Sequence, residues 1–473
     1  MKNVAIYGKG TAGGLVFDLL SKKDNYSIKV FFDDKNDSVS LFKGIKVYRS
    51  NLLEKFILKH KITDLVIAVS NNSSEIREKL FKLQFIYKIN IYVVPLQSEL
   101  VNNKLNFHDI RKYQDYDFFI PRNNKKLNLT YSENPLSNRV IMVTGGAGSI
   151  GSELIYQLIK LNVKKIVLID SSEYNLYKFS NYISNLDLSN LITIKTYLLN
   201  LMDKKLLKEV VAKEKPSIIY HAAAYKHVLI TEDNIYFTLK NNIISLDNIL
   251  KSIQNSSVDK FVLISTDKAV KPTTIMGLSK KISEEIVRFY SIKNSKITYS
   301  IVRFGNVVGS SGSVFPRFID IIKNNEVINI TDKKVERYMM SISEAARLVI
   351  TASLYSKESY LYVLNMGKPI KILSIARKIA LLFNKKIVFH NKFNNSNNTI
   401  LVKFTGLNNN EKLSEKLIQD NEFIYKKENN FIVVKKFKFD YINFSMFYKN
   451  FINDLNKNNF KNFDKYNNFF THF

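Results

Sequence analysis

A chain of 473 residues has room for two or three domains with sizeable cores, and without cysteine it holds no disulfide or thiolate metal site; six histidines in no close cluster with Asp or Glu leave no metal expected. The net charge of +29 comes from 60 lysines and 11 arginines, scattered without a basic block or an RNA- or DNA-binding signature, so no nucleic-acid partner is expected. No apolar run approaches the ~20 residues of a membrane span and the amino terminus lacks a signal-peptide pattern, which predicts a cytoplasmic protein with no membrane span.

Residues 1–125 open with strands and amphipathic helices in alternation. Val4–Tyr7 reads as a strand, 12–22 as a helix, Ile28–Phe32 and Leu65–Val69 as further strands, and Val93-Val94-Pro95 closes the series. The turn after the first strand is Gly8-Lys9-Gly10-Thr11-Ala12-Gly13, with Asp33 placed after the second strand. That spacing suits a nucleotide site or, equally, a docking domain of the same fold. A polar stretch, 101–138, leads onward.

A second and longer series follows, with strands expected at 139–144, 165–170, 192–198, 217–221, 260–265 and 298–304. The predicted fold is therefore α/β, two tandem Rossmann-like doubly wound parallel sheets, the second running over 126–425 with a small C-terminal substrate-binding subdomain. Residues 426–473 alternate Asn, Lys, Phe and Tyr and read as a helical or partly disordered tail.

The second glycine-rich turn is Thr144-Gly145-Gly146-Ala147-Gly148-Ser149-Ile150-Gly151, again after a strand, with Asp170 at the end of the next. Glycines let the backbone turn tightly against a pyrophosphate, and the positive end of the following helix stabilises it. The acidic residue then accepts from the adenosine ribose hydroxyls. Gly145, Gly148, Ser149, Ile150, Gly151 and Asp170 are the expected cofactor contacts, with Ala222 and Ala223 small enough to let backbone lie against it. No arginine follows Asp170 closely, which favours NAD over NADP.

Phe261-Val262-Leu263-Ile264 reads as a buried parallel strand and runs into Ser265-Thr266-Asp267-Lys268. A hydroxyl, a carboxyl and an amine thus sit at the carboxyl end of a strand, where open α/β sheets bind ligands. A helix is expected to begin near Thr273 or Thr274, with Met276 and Lys280, four apart, on one face.

From about Arg139 to Leu417 the chain resembles the extended short-chain dehydrogenases, and within them the UDP-N-acetylglucosamine 4,6-dehydratases of bacterial polysaccharide biosynthesis. The matching segments, in order, are 144–151, His221 to Val228, Ser265 to Lys280, Val302 to Ser310, Gly312 to Pro316, Arg337 to Met340, and Phe404 to Leu407 with Glu411-Lys412-Leu413. The first 125 residues resemble the extra Rossmann-like domain of that family's long form, where it follows membrane helices; no such helices are expected here.

The resemblance implies internal redox on a UDP-sugar through bound NAD, and a homo-oligomer. Hydride leaves sugar C4, water is lost across C5 and C6, and hydride returns to C6. By resemblance, Thr266 hydrogen-bonds the C4 hydroxyl, Asp267 protonates the departing C6 hydroxyl, and Lys268 takes the C5 proton, a role that calls for burial or a cationic neighbour. Lys280 is expected at the nicotinamide ribose. Met276 stands where short-chain dehydrogenases place a tyrosine, as in the long-form dehydratases, so the acceptor of the C4 hydroxyl proton is open, with Asp267 the favoured group. Lys226, His227, Arg303, Asn306, Arg317 and Arg337 are the expected contacts to the sugar and its diphosphate.

The family's Gly-Leu-Arg-Pro-Gly-Glu-Lys is Gly406-Leu407-Asn408-Asn409-Asn410-Glu411-Lys412 here. Asparagine suits a left-handed turn but does not replace a bidentate cation. An epimerase of the same fold and a catalytically silent nucleotide-sugar-binding scaffold are the alternative readings. Retention of Asp267 and Lys268 counts against both.

Overall fold

Along the central strands of the larger sheet, apolar side chains alternate between two faces, and both faces are covered. Met142, Ile219, Phe261, Leu263 and Ile301 enter one core, while Ile141, Val143, Tyr220, Val262 and Val302 enter the other. A parallel strand covered on both sides needs apolar residues at odd and even positions alike, which is why these runs are continuous in sequence. The computed structural model describes residues 1–35, 40–69, 83–94 apart from 85, 110–112, 134–184 apart from 162, 192–389 apart from 311 and 357, 398–457 apart from 409, 429, 437 and 438, and residues 466, 468 and 469.

The amino-terminal unit is a seven-stranded sheet with Lys2–Tyr7 between Tyr26–Phe32 and Asp64–Ile67, all parallel. Its first helix, Thr11–Leu20, follows the glycine turn directly. Asp33 closes that turn: its Oδ2 accepts from the Lys9 backbone N–H at 2.9 Å and its Oδ1 from that of Lys35 at 3.0 Å.

The larger sheet has nine strands, in the order Thr193–Leu198, Lys165–Asp170, Val140–Thr144, Ile218–His221, Lys260–Thr266, Thr298–Phe304, Leu361–Leu364, Phe431–Lys436 and Glu422–Lys427. The first seven are parallel, and the eighth, Phe431–Lys436, runs antiparallel to both of its neighbours. Chain order reverses between Val140–Thr144 and Ile218–His221, and such a switch point opens a crevice at the strands' carboxyl ends. The glycine turn and Ala222-Ala223 flank that crevice.

A smaller unit packs Phe315, Phe318, Ile319, Ile328, Ile379 and Val402 around the three-stranded sheet Ile328–Ile330, Thr399–Phe404 and Lys386–Val388. The expected boundary at 425 falls inside the strand Glu422–Lys427, and the tail supplies the next strand, Phe431–Lys436. Phe431, Val433 and Val434 are buried there against the 361–364 strand. Four apolar residues in a row, bounded by Asn and Lys, are too short a run for a period to mark a strand. The tail continues into a helix, Tyr441–Asn456, whose Phe444, Tyr448, Phe451 and Leu455 form one apolar stripe. The rest of the tail lies mostly outside the described residues, as do Asn409 and Pro95 of the sequence reading.

Helix Ile275–Lys293 lies between the sheet and this last helix, so it is buried along nearly its whole length. Thr274 caps it, its hydroxyl accepting from the Gly277 N–H at 3.1 Å. A Cβ on Gly277 would stand 2.4 Å from the Lys268 carbonyl oxygen, so only glycine lets the helix approach the Lys268 turn this closely.

Candidate active site

The strand Lys260–Thr266 ends in a single 3₁₀ turn, Asp267–Ala269. Thr266 is the last strand residue and its hydroxyl donates to Asp267 Oδ1 at 3.0 Å. Lys268 Nζ donates to the same oxygen at 3.0 Å and to Asn306 Oδ1 at 3.1 Å. Asp267 is wholly buried, and its Oδ2 has no hydrogen-bond partner. A Cβ on Gly305 would come within 2.8 Å of that oxygen, so the glycine gives the carboxylate its room. Four sequence-expected groups thus meet in one cluster, which opens to solvent through Thr266 and Lys268.

Burial or a cationic neighbour was expected for Lys268, whose side chain is 20% exposed. The structure instead pairs it with carboxylates, Asp267 Oδ1 at 3.0 Å and Glu415 Oε1 at 3.9 Å. Glu415 comes from a segment, 410–422, that crosses the catalytic turn as a strap. Thr273 Oγ1 donates to the Asn410 carbonyl at 2.8 Å, Lys412 Nζ to that of Val270 at 2.8 Å, and Gln419 Nε2 to that of Ala269 at 3.2 Å. These contacts join residues far apart in sequence, so no local spacing marks them.

Lys280 lies one turn beyond Met276, and both are buried. Lys280 Nζ donates to the Ile264 carbonyl at 3.0 Å, and burial pushes its ammonium down to about 8 against the opposing pull of Glu284. Behind it, His221 Nδ1 and Thr144 Oγ1 are 2.8 Å apart in a buried pair. Burial and then the Lys280 charge push the His221 imidazole down to about 3, which keeps it neutral near pH 7. His221 was visible only as part of a motif.

At the glycine turn, Gly145 has φ +64°, and a Cβ there would stand 2.7 Å from the Ala223 Cα. Helix Ser149–Lys160 starts from Gly148 with no side-chain cap and no acidic residue in its first turn. The positive end of that helix lies at the glycine turn, a setting that suits an anion. Asp170 Oδ2 accepts from the Ala147 N–H at 3.1 Å and Oδ1 from that of Ser172 at 2.9 Å, which orients the carboxylate at the crevice. These residues fit a dinucleotide's pyrophosphate and ribose.

Of the residues expected at the sugar diphosphate, Lys226 and His227 are exposed beyond Ala222-Ala223, and Arg317 is exposed on helix Val314–Lys323. A Cβ on Gly312 would stand 2.6 Å from His227 Cε1, so the 221–228 and 305–313 loops meet at that ring. Arg337 is nearly buried and committed to the strap, donating to Glu411 Oε1 at 3.2 Å and to the Leu413 carbonyl at 3.2 Å. A diphosphate there competes with Glu411.

Arg303 is a correction. It is fully buried, held by Glu284 at 2.6 Å, Glu422 at 2.9 Å and the Leu417 carbonyl at 2.8 Å, and meets no ligand surface. Burial opposes its charge, but the two carboxylates raise the guanidinium above its ordinary value. Arg303 points inward because the 298–304 strand is covered on both faces, which a motif alone does not reveal.

Among the described residues no group of His, Cys, Asp and Glu is placed to hold a metal ion, and no helix is long and apolar enough to cross a membrane. A family described as "Polysaccharide biosynthesis protein" matches residues 141–436, and one described as "PglD N-terminal domain" matches residues 3–83. The capsular polysaccharide biosynthesis protein CapD of Staphylococcus aureus is 32% identical over 427 residues, which cover 89% of this chain and 69% of CapD. The probable polysaccharide biosynthesis protein EpsC of Bacillus subtilis is 31% identical over 421 residues, 88% of this chain and 68% of EpsC. The X-ray structure of Pen from Bacillus thuringiensis matches with a TM-score of 0.56 at 25% identity, covering 64% of this chain and 89% of Pen. The sheet order agrees with these matches: the chain has the extended short-chain dehydrogenase fold and belongs to the polysaccharide biosynthesis protein family.

Proposed function

We propose that this chain is a nucleotide-sugar 4,6-dehydratase that converts UDP-N-acetylglucosamine to the UDP-4-keto-6-deoxy sugar for polysaccharide or glycan biosynthesis. The observation that carries this reading is the shared Asp267 Oδ1, which accepts from both Thr266 and Lys268 at a strand end beside the crevice. A dehydration across C5 and C6 needs an acid and a base side by side, and Asp267 with Lys268 is such a pair. A simple C4 epimerisation needs no acid at C6.

Bound NAD supplies the reversible hydride acceptor that an internal redox dehydration requires. The chain's own residues handle the protons. Thr266 presents its hydroxyl to the C4 hydroxyl of the sugar and hands that proton to Asp267, which is itself buried away from the cleft. Asp267 returns it, through the same Thr266 hydroxyl, to the C6 hydroxyl, which leaves as water. Lys268 takes the C5 proton and gives it back to C5. The count closes, because the water carries the C4 hydroxyl proton and nothing else is consumed. Met276 exchanges no proton, and this route does not need it to. Lys280, buried under the nicotinamide end of the crevice, adds positive charge beside the C4 oxygen. Lys226, His227, Asn306 and Arg317 bound the sugar and diphosphate region.

The experiment is incubation of purified protein with UDP-N-acetylglucosamine and mass spectrometry of the nucleotide sugar. The expected product is lighter by one water, with no added cofactor consumed. Unchanged mass with an inverted sugar centre by NMR makes the chain an epimerase. Recovered starting material removes this substrate.

A further inference from the structure

Glu415 has no part in the reaction just described, and its setting is unusual for a strap residue. Its side chain is 6% exposed, with Oε1 3.9 Å from Lys268 Nζ and Oε2 3.3 Å from Lys412 Nζ. Oε2 makes no hydrogen bond of good geometry. Asp267, Lys268, Glu415 and Lys412 therefore form an alternating row of charges that begins under the reacting turn and ends where Lys412 is tied to the Val270 carbonyl. A carboxylate taken out of water is retained only where opposite charge compensates it. Here the compensation includes the lysine that takes the C5 proton.

We propose that Glu415 is a positioning residue for Lys268, a role that rests on the dehydratase reading. It steadies the amine between Asp267 and Asn306 and supplies the counter-charge for the ammonium that forms as the C5 proton is taken. In that step the C5–H bond breaks and its proton joins the Lys268 nitrogen lone pair. The C5–H electrons become the C5–C6 double bond, the C6–O bond breaks, and the hydroxyl leaves as water with the proton held by Asp267. Lys268 ends positive and Asp267 negative, with no net charge created. A fixed carboxylate beside the nitrogen favours the charge that develops there, and the strap has already oriented it. Lys412 holds the far oxygen of Glu415 and keeps the near one turned to Lys268.

Glu415→Gln keeps the shape and removes the charge. Its kcat should fall by about 10- to 100-fold with KM within about twofold. The deuterium isotope effect from substrate labelled at C5 should rise, because proton abstraction becomes the slower step. Glu415→Asp should recover part of the rate. A fall in kcat with no rise in the isotope effect, a rise in KM alone, or no change overturns the proposal. A second readout needs no turnover. Acylation of Lys268 by an amine-reactive reagent, followed by mass spectrometry, should be about 3- to 10-fold faster in Glu415→Gln at a fixed, mildly alkaline pH, because the carboxylate no longer holds the amine in place. Lys251, remote on helix Ser245–Ser252, serves as the internal control. Equal labelling of Lys268 in both proteins overturns the coupling. If wild-type protein yields no dehydrated sugar, the dehydratase reading fails by itself, and the labelling ratio still decides whether Glu415 acts on Lys268.

Discussion

Arg303 and Glu284 form a two-point ion pair with neither side chain exposed to solvent, Nε to Oε1 at 3.1 Å and Nη2 to Oε2 at 2.6 Å. Ser265 donates to the same Glu284 Oε1 at 2.6 Å, and Glu422 closes the other side of the guanidinium. The pair joins the 298–304 strand, the 275–293 helix and the start of the 422–427 strand directly behind the catalytic turn.

Arg303→Ala leaves the buried Glu284 without its paired cation and Glu422 with Arg288 alone, and breaking such a pair costs about 3–5 kcal/mol. Urea unfolding should show a loss of that size. Arg303→Lys should recover little of it, since an ammonium does not reproduce the forked contacts. A stable Arg303→Ala protein with a raised KM would instead return Arg303 to the substrate.

Lys268→Ala removes the proposed base while leaving the glycine turn and Asp170 untouched. Turnover should disappear, and purified protein should carry the same amount of dinucleotide as wild type, measured after denaturation. Normal turnover would take Lys268 out of the mechanism.

Gly277→Ala introduces a methyl group 2.4 Å from a backbone oxygen, and backbone does not yield as a flexible side chain does. Helix and catalytic turn must move apart. A stability loss of about 1–3 kcal/mol is expected, as for other overpacked sites, together with a lower kcat. Wild-type kinetics in this variant would show that the close approach has no bearing on the turn.

Lys280 makes stability depend on pH in a stated direction. Its folded value, about 8, is below the ordinary 10.5, so burial disfavours its charged form. Below about 8 both folded and unfolded chains carry the charge, and the burial cost is present in full. Between about 8 and 10.5 the unfolded chain binds the proton that the folded chain has released, so this group's contribution to stability rises with pH. Lys280→Met should be more stable than wild type at neutral pH by about 2 kcal/mol, less than the full shift because the Ile264 carbonyl loses a donor. The difference should shrink as pH climbs through that window. A constant difference across it would mean that Lys280 does not titrate there.

The strands at 140–144, 165–170, 218–221, 260–266 and 298–304 all lie within one residue of where apolar runs and turns place them. Thr274 caps the helix that the pattern starts at Thr273 or Thr274. Thr266, Asp267, Lys268 and Asn306 do meet, because two neighbouring parallel strands deliver them to one edge, with Ser265 beside Arg303 and Thr266 beside Phe304 in register. Parallel strands in a covered sheet carry strong local signals, and their carboxyl ends are near one another by construction.

What sequence by itself determined is therefore the α/β class, the glycine turns, and which hydroxyl, carboxyl and amine share a strand end. Each follows from short-range periodicity or from a spacing of a few residues. Tertiary structure alone decided that Arg303 faces Glu284 and Glu422 instead of a ligand, that the tail supplies a strand to the sheet, and that Glu415 stands against Lys268. Those relations join residues far apart in sequence, or depend on which side of a doubly covered strand a long side chain takes. Burial then selects the partner, since an interior charge is tolerated only beside its opposite.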